Sequence, residues 1–354
     1  MRGLVFVLLV GCGSSSAVID ATGDDGAAVA DGQVDAPGAL RPLRGTNMSG
    51  AEFGTAVPGT FGVDYIYPDP TYVASYASQD YFVGKGMNTF RVPFRWERLQ
   101  RQLNAELDAT ELARLDTTVG HMTGKLAYVI IEPHNFARYN DQLVGSTAVP
   151  NAAFADLWSR LAQHYAGNSR VMFGLVNEPH DMPTEQWRDG ANAAIAAIRA
   201  AGAHNLILVP GNAYTGAWSW TLSYYGTPNA VAMLGITDPD DNYAFEVHQY
   251  LDSDYSGSHT TCQSTTIGAE SLAGFTAWLR EHGKRGMLGE LGAAANSTCA
   301  SAVDGMLAHL DANADVYLGW TWWSAGPWWG NYFMTLEPQN GVDAPQLATL
   351  AAHL

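Results

Sequence analysis

The chain has 354 residues, 47% of them hydrophobic, which is enough for one large domain or two small ones with a substantial buried core. Asp and Glu number 35 against 18 Lys and Arg, so the formal net charge is -17 at pH 7. Such an acidic surface repels phosphate backbones and argues against nucleic acid as a partner, whereas a neutral polymer would meet no electrostatic penalty.

The first predicted element is an export signal over residues 1–11. Arg2 is followed by the apolar run 4–10, which is too short to span a bilayer. The sequence LVGC, which ends at Cys12, resembles the cleavage box of bacterial lipoprotein signals, in which the cysteine is lipidated. A truncated ordinary signal peptide is the alternative. Both interpretations predict export, either into the medium or onto a bacterial cell surface or outer membrane, with the membrane contacted only through the lipid.

Residues 12–39 are small and acidic, and none of them is aromatic. Such a segment buries too little apolar surface to offset the entropy lost on ordering, which predicts a disordered acidic linker. Residues 40–354 are then a single folded domain. In an exported chain its two cysteines, Cys262 and Cys299, would either form a disulfide or remain free thiols. The sequence contains no CxxC or HExxH pattern, so it predicts no metal site.

From residue 40 onward, short apolar runs alternate with longer stretches of helical periodicity. The predicted strands span 43–50, 87–94, 125–135, 170–179, 205–212, 242–250, 285–292 and 316–326. The predicted helices include 108–122, 151–167, 184–202 and 270–283, with Asp108 and Thr184 as N-cap residues. Eight strands alternating with helices predict an α/β fold of the (β/α)8 TIM barrel type. An open doubly wound sheet is the alternative, but the first strand is not followed by the GxGxxG turn of such folds.

The carboxyl ends of the predicted strands carry most of the residues suited to chemistry. In a barrel of this kind these ends form one face, and that face holds the active site. Polar or aromatic residues end seven of the eight strands: Arg91, His134, Asn177 with Glu178, Asn212, His248 with Tyr250, Glu290 and Trp323. Polar residues placed at random would be scattered along the strands, where burying them lowers stability. The pattern therefore predicts one polar cleft.

Glu178 and Glu290 end the fourth and seventh strands, which lie nearly opposite each other in a closed eight-stranded barrel. Two carboxylates across a groove suit the cleavage of a glycosidic bond. One donates a proton to the leaving oxygen, and the other attacks carbon or activates water. The two must be held in opposite protonation states. Arg91 and Tyr250 are able to keep one of them ionised, and the residues alone leave open which one.

Two further acids share the strand parity of predicted site residues. Glu246 has the parity of His248 and Tyr250, and is predicted to point into the barrel. Glu132 has the parity of His134, with the same consequence. We interpret both acids as buried structural groups. Histidines at strand ends are usually structural too, and the two histidines become site candidates only because they accompany the cleft carboxylates.

Tryptophan is concentrated near the end of the chain, in the segment WTWWSAGPWW. We interpret Trp323 as facing a sugar, because an aromatic ring suits the apolar C–H face of glucose. Trp328 and Trp329 are equally consistent with packing. Trp218 and Trp220, after the fifth strand, are candidates for a distal subsite.

Taken together, the motifs resemble those of a family 5 glycoside hydrolase of the endoglucanase (cellulase) type, similar to fungal and bacterial endo-β-1,4-glucanases. The matching segments follow the family order from residue 43 to about 330: RGTNMSGAEFG, NTFRVPFRWERL, EPHNFARYN, VMFGLVNEPHDM, LVPGNAYTGAWSW, FEVHQYLDSDYSGSHTTC, MLGELGAAANSTC and VYLGWTWWSAGPWW. The departures are Glu132 in the third-strand motif and the abundance of Trp at the end of the eighth strand. The combination of NEP, HxY and a later strand-terminal Glu is specific.

The resemblance implies a role for each site residue. Glu178 would be the acid/base and Glu290 the nucleophile of a retaining mechanism, with the carboxyl groups about 5 Å apart. Arg91 and Tyr250 would orient and ionise Glu290, and Asn177 would bind the 2-hydroxyl of the sugar. Further roles complete the set: His134 and His248 would line the catalytic subsite, Trp323 would be its stacking platform, and Cys262 and Cys299 would form a disulfide.

The expected activity is hydrolysis of internal β-1,4-glucosidic bonds in cellulose or β-glucan by a monomeric enzyme, with no cofactor required by two-carboxylate chemistry. Mixed-linkage glucan, xyloglucan or mannan is the alternative substrate, because loop contacts decide such preferences. A carbohydrate-binding lipoprotein without activity is a further alternative. It is disfavoured because Arg91, Asn177, Tyr250 and both acids are present.

Overall fold

The computed structural model describes residues 42–67 and 73–354. The predicted signal and linker, including Cys12, lie outside these residues. The part that is described contains a closed barrel of parallel strands, which confirms the predicted fold class. Its strands are β1 (Leu43–Met48), β2 (Thr89–Phe94), β3 (Tyr128–Pro133), β4 (Val171–Gly174), β5 (Ile207–Pro210), β6 (Tyr243–Tyr250), β7 (Gly286–Gly292) and β8 (Tyr317–Ala325). Each strand pairs with its sequence neighbours, and β1 closes the ring on β8.

Helices connect the strands around the outside of the barrel. They are α1 (Val73–Gly84), α2 (Trp96–Leu99), α3 (Ala109–Gly124), α4 (Asn151–Tyr165), α5 (Thr184–Ala200), α6 (Asn229–Ala232), α7 (Ile267–Glu281), α8 (Ser297–Ala312) and α9 (Gln346–Leu350). Short 3-10 turns lie at Ala213–Thr215, Met233–Gly235 and Ala351–His353. A small antiparallel pair, Arg138–Tyr139 with Gln142–Leu143, follows β3. Among the described residues, no helix has both the length and the apolar character needed to cross a membrane.

Helix boundaries follow the predicted signals with one exception. Asp108 caps α3, because its carboxylate accepts hydrogen bonds from the backbone N–H of Thr110 and Glu111, each at 3.0 Å. Thr184 is not an N-cap, contrary to the prediction. It is the first residue of α5, where Pro183 precedes it, and its buried hydroxyl lies 3.3 Å from Asn212 Nδ2. Pro183 occupies the N-cap position and has no side-chain acceptor, so no side chain caps α5.

The helices after β3 and β4 are tied to the barrel by tryptophan. In α4 the buried positions Phe154, Leu157, Trp158 and Leu161 recur at the helical period, and each contributes about 1.5–3 kcal/mol through burial. Trp158 Nε1 also donates to Leu175 O just beyond β4, at 3.1 Å. In the next helix, Trp187 Nε1 donates to Pro210 O at the end of β5, at 2.7 Å. These bonds fix strand ends that lead into the polar face.

The barrel strands alternate between two environments, as the pleat of a β-strand requires. In β3, Val129 and Ile131 belong to the cluster shared with the helices, whereas Ile130 points into the barrel. The inward-facing apolar residues form a separate cluster, which we call the apolar layer: Leu43, Ile130, Met172, Leu206, Leu208, Ala244 and Met287. The next inward position of β3 is Glu132, which is fully buried. The barrel interior therefore changes from apolar to charged within two residues.

A disulfide joins Cys262, in the loop after β6, to Cys299, in the first turns of α8. The two Cα atoms are 5.3 Å apart. This confirms the bridge that the family resemblance implied. Disulfides of this kind persist in oxidising compartments, which agrees with export of the chain.

Candidate active site

The site residues predicted from the sequence meet at the carboxyl face of the barrel. Arg91 lies in β2, His248 and Tyr250 in β6, Glu290 in β7 and Trp323 in β8, whereas His134 follows β3 directly and Asn177 and Glu178 lie beyond β4. Direct contacts connect most of them, as described below. Asn212 is the exception among the strand-end residues. It is buried, and it donates to Met182 O at 2.6 Å, so it holds two loops together instead.

Arg91 is the buried centre of the site. Its side chain is fully buried, and its Nη1 donates to Glu290 Oε1 at 2.9 Å. Its Nη2 donates to Asn177 Oδ1 at 2.8 Å and lies 3.1 Å from Glu132 Oε2. Its Nε lies 3.0 Å from Glu246 Oε1. One guanidinium thus contacts three carboxylates, using the planar fork of donors that lysine lacks.

We call Arg91, Glu132, Glu246 and Glu290 the charged layer. Burial by itself would lower the pKa of Arg91, because it favours the neutral form. Attraction to the three carboxylates outweighs burial and raises the pKa of Arg91 above its ordinary value. For Glu246, Arg91 and His248 together outweigh burial and lower its pKa. Glu132 and Glu246 are fully buried, in agreement with the sequence interpretation of both as buried acids. Removing Arg91 would leave three buried carboxylates without their shared cation.

Glu290 is held by donors on both carboxylate oxygens. Tyr250 Oη donates to Oε2 at 2.7 Å, and Arg91 occupies Oε1. Burial raises the pKa of Glu290 above its ordinary value, and Glu178 raises it further, while His248 and Arg91 oppose this. Burial and the nearby carboxylates raise the pKa of Tyr250 well above 10, so the phenol remains a donor.

A β-bulge sets the position of Glu290. The register between β6 and β7 shifts after the pair Val247–Leu288, so that His248 lies opposite Glu290 and not opposite Gly289. Bulges of this type redirect a side chain locally. The shift brings the Glu290 carboxylate to the same point as the histidine of the neighbouring strand.

Glu178 lies beyond the end of β4, which is shorter than predicted. Its backbone is left-handed, with φ of 39°, a conformation that is uncommon for residues other than glycine and that concentrates at functional sites. Its Oε1 lies 2.7 Å from His248 Nδ1. One carboxylate oxygen of Glu178, one of Glu290 and a ring nitrogen of His248 all lie within 4.8 Å of one another. The two carboxylates therefore face the same small volume.

His134 and Trp323 lie next to each other at the same face of the barrel. Their rings are stacked, with centroids 5.4 Å apart and planes inclined by 14°. His134 Nδ1 lies 3.2 Å from Glu132 Oε2, and nearby carboxylates, Glu132 first, raise its pKa although burial opposes this. Trp329 packs edge-on against Trp323 at 5.8 Å and stacks on Tyr332 at 4.4 Å. Trp329 therefore packs between Trp323 and Tyr332.

An open cleft of about 320 Å³ extends from Glu178 over the loops after β5 and β6. Its walls include Tyr214, Trp218, His248, Tyr250 and Tyr255. Trp218 and Tyr255 are stacked, with ring centroids 4.6 Å apart. The cleft is thus lined with aromatic rings, which suit the apolar faces of sugars.

Comparison with known proteins identifies the family. The sequence model of the family described as Cellulase (glycosyl hydrolase family 5) matches residues 46–326. The chain belongs to glycosyl hydrolase family 5. Endo-beta-1,4-glucanase B of Aspergillus niger is 44% identical over 299 residues, which are 84% of this chain and 86% of that protein. Endoglucanase 3 of Humicola insolens is 44% identical over 301 residues, which are 84% of this chain and 74% of that protein.

Solved structures of this family agree with the sequence relatives. A structure of XacCel5A in complex with cellopentaose is 46% identical, with a TM-score of 0.85, and covers 88% of this chain and 99% of its own. The endo-beta-1,4-glucanase Xac0029 from Xanthomonas axonopodis pv. citri is 45% identical, with the same TM-score of 0.85, and covers 88% and 98%. These findings confirm the predicted resemblance and establish a glycoside hydrolase.

One residue predicted for a distal subsite of this family 5 hydrolase lies elsewhere. Trp220 does not reach the cleft: it is fully buried and packs on Phe245, Phe275 and Trp278. The proposed distal subsite therefore retains only Trp218. Sequence position could not separate the two tryptophans, because they lie two residues apart in an irregular loop.

Asn47 was missed as a member of the site. Its Oδ1 accepts from Arg91 Nη1 at 2.8 Å, and its Nδ2 donates to Gly289 O and Trp322 O, each at 3.0 Å. It holds the guanidinium in place from β1. The available signal was a lone amide in a buried strand, which by itself resembles any structural polar residue.

The loop after β6 is rigidly built around Asp252. This buried carboxylate accepts from the backbone N–H of Gly257, Ser258 and His259, at 3.0, 3.0 and 3.1 Å. Asp252, Asp254 and His259 also have a spacing that a cation could use, as do Glu178, His248 and Glu290. In both groups the potential ligand atoms already hydrogen-bond to each other or to the backbone, which explains their proximity without a metal.

Proposed function

We propose that the chain is a retaining endo-β-1,4-glucanase that cleaves internal bonds of cellulose or soluble β-glucan. The observation that carries the mechanism is the approach of the two acids, with a carboxylate oxygen of Glu178 and one of Glu290 within 4.8 Å. Carboxyl groups about 5–5.5 Å apart suit direct attack on the sugar, whereas inverting enzymes need about 6.5–9.5 Å to admit a water.

In the first step, a Glu290 oxygen attacks the anomeric carbon while Glu178 donates its proton to the glycosidic oxygen. The bond between that carbon and oxygen breaks, and the leaving chain departs as an alcohol. In the second step, Glu178 takes a proton from water, and the resulting hydroxide displaces Glu290 and regenerates both acids. Arg91 and Tyr250 serve Glu290, because each donates to one of its oxygens. These two contacts support the assignment of Arg91 and Tyr250 to Glu290.

Neighbouring residues supply the binding contacts. Asn177 Oδ1 accepts from Arg91, so its Nδ2 is turned to donate to the 2-hydroxyl of the bound sugar. Trp323, stacked on His134, provides the platform for the same sugar. Trp218 and Tyr255 extend the aromatic lining on the side of Glu178, where the leaving chain lies. XacCel5A, which is similar to this chain, has been crystallised with cellopentaose, and this supports a glucan as substrate.

The deciding experiment is a panel of carboxymethylcellulose, barley β-glucan, xyloglucan and mannan, with the products sized by chromatography. We expect the β-1,4-glucans to give a rapid fall in polymer length, and the first anomer released from cello-oligosaccharides to be β by proton NMR. Release of the α-anomer would contradict retention. Preferential cleavage of xyloglucan or mannan would replace the substrate, and absence of reducing sugar from every polymer would favour a binding protein.

We also propose export as a monomer, with Cys12 as a lipid anchor when the chain is made in a bacterium. The apolar leader and the LVGC sequence support this assignment. Palmitate labelling of the full chain compared with Cys12→Ser tests the anchor, with loss of label expected in the variant. Light scattering of the folded domain tests the oligomeric state.

A further inference from the structure

His248 faces three carboxylates. Two are those of the proposed catalytic pair, Glu178 and Glu290, and the third is that of Glu246. Its Nδ1 is 2.7 Å from Glu178 Oε1 and 3.5 Å from Glu290 Oε2. Its Nε2 is 3.5 Å from Glu246 Oε1. Both ring nitrogens therefore face carboxylate oxygens, and the side chain is only 3% exposed to solvent.

The oxygen of Glu246 that faces the ring is itself fixed. Glu246 Oε1 lies 3.0 Å from Arg91 Nε, and the permanent charge of the guanidinium favours the ionised carboxylate, so this oxygen is an acceptor. A neutral ring carrying its only proton on Nδ1 would place the lone pair of Nε2 against that acceptor. Glu246 thus requires a proton on Nε2.

The consequence for Nδ1 concerns the proton that Glu178 must deliver. A neutral ring protonated on Nε2 would have a free lone pair on Nδ1, 2.7 Å from Glu178. That lone pair would accept the Glu178 proton in competition with the glycosidic oxygen. A ring protonated on both nitrogens cannot do so, because its Nδ1 donates.

We propose that Glu246 is a positioning residue that keeps His248 doubly protonated, so that the ring donates to Glu178 and leaves the Glu178 proton for the leaving group. This inference rests on the proposed function of Glu178. It assigns to a buried carboxylate, two residues before the histidine, a part in acid catalysis without contact with the substrate.

The groups around His248 agree with this state. Glu178 faces it from the segment beyond β4, Glu246 from β6 and Glu290 from β7, and Arg91 is the neighbouring cation. Segment 215–217, which pairs with β6, contributes only Thr, Gly and Ala. Burial lowers the pKa of His248, but the three carboxylates outweigh it and raise the pKa to about 10.

Gly289 is part of the same arrangement. A Cβ atom at this position would lie 2.0 Å from Glu246 Oε1. The strand next to β6 is therefore open at the one point where the Glu246 carboxyl group must fit. The Glu246 backbone is held separately, because Thr215 Oγ1 donates to Glu246 O at 2.5 Å.

Glu132 provides a matched control within the same chain. Like Glu246 it is fully buried and contacts Arg91, through Nη2 at 3.1 Å. It also contacts a histidine, but this is His134, at 3.2 Å, which stacks on Trp323. Glu132→Gln and Glu246→Gln therefore remove equal charge at equal burial beside different histidines.

The test compares kcat/KM on a cello-oligosaccharide with kcat/KM on 2,4-dinitrophenyl β-cellobioside, whose leaving group departs without a proton. For Glu246→Gln we expect a loss of about 10²-fold on the oligosaccharide, the lower part of the range for general acid catalysis. Activity on the dinitrophenyl substrate should fall much less. Glu132→Gln should lower kcat/KM by the same factor on both substrates. Equal losses on both substrates in Glu246→Gln, as in the control, would overturn the proposal.

Nitrogen-15 NMR of the histidine rings gives a readout that needs no substrate. In the wild-type protein, the His248 signals, assigned by their absence from His248→Gln, should report two N–H groups throughout pH 5–8. In Glu246→Gln the ring should lose one proton within that range. A neutral His248 ring in the wild-type protein at pH 6 would overturn the proposal, even if the variant failed to fold. If the wild-type protein hydrolysed neither substrate, the proposed function would fail, and the NMR titration would still decide the charge of His248.

Discussion

The apolar layer and the charged layer occupy the same barrel interior, two residues apart along β3 and β6. Ile130 and Ala244 belong to the first, and Glu132 and Glu246 to the second. A fully buried isoleucine contributes about 1.5–3 kcal/mol to stability. A buried ion pair often contributes nothing net, although breaking one is strongly destabilising. The apolar layer therefore provides the stability of this part of the barrel. The charged layer, which packs on it, contributes little net stability, and its proposed role is in catalysis instead.

The sharpest test of this difference is loss of the proposed nucleophile. Glu290→Gln keeps the size of the side chain but removes the attacking oxygen charge. We expect hydrolysis of carboxymethylcellulose to fall by about 10⁴-fold or more, as for other nucleophile replacements. Circular dichroism should show an intact fold. Substantial residual turnover would remove Glu290 from this role.

Arg91→Met tests whether the charged layer depends on its single guanidinium. The variant leaves Glu132, Glu246 and Glu290 without their shared cation, and we expect the free energy of unfolding to fall by about 3–5 kcal/mol. Urea denaturation measures the change. Met172→Leu, in the apolar layer, is the matched control and should change stability by less than about 1.5 kcal/mol. Equal effects of the two variants would refute the distinction between the layers.

The pH dependence of kcat/KM reports on Glu290 in the free enzyme. The ionised carboxylate is the active form, so activity is lost as the pH falls through its pKa. Because burial raises that pKa, the acid limb should lie above the ordinary value of 4.5, with about a tenfold loss for each pH unit below the limb. A limb at or below 4.5 would show that Arg91 and Tyr250 outweigh burial.

The smallest expected effect comes from the apolar layer. Ile130→Val removes one buried methylene group and should lower the free energy of unfolding by about 0.5–1.5 kcal/mol. The kcat on β-glucan should stay at the wild-type value, because the Ile130 side chain, although it lies beside its register partner Arg91, has no polar atom that could bind the guanidinium. A parallel loss of activity would mean that the two layers are mechanically coupled.

Much of the site was predictable, because strand ends are local features of a sequence. The positions of Arg91, His248, Tyr250 and Glu290 followed from runs of apolar residues that end in polar ones. The parity of Glu132 and Glu246 correctly predicted their burial. Tertiary contacts were not accessible in this way. Asn212 has the same local signal as the site residues, yet Met182 and Asn229 engage it away from the cleft.

Other differences have similar causes. The bulge that places Glu290 opposite His248 depends on the pairing of two strands. No residue type in either strand predicts the position of this bulge. Trp218 and Trp220 differ in exposure only because the loop between them turns. β4 ends at Gly174, four residues before the left-handed backbone at Glu178, so the apolar residues Leu175 and Val176 belong to the segment that leads into the site and not to the strand.

The loop around Asp252 has a consequence for substrate capture. Its carboxylate accepts from three successive backbone amides, and Tyr255 in the same loop stands against Trp218 at the rim of the cleft. The disulfide at Cys262 restrains the chain just beyond it. Since the chain entropy of this wall is lost during folding, a polysaccharide strand docking there need not freeze it again. Association should therefore be limited by the flexibility of the polymer, not by that of the protein.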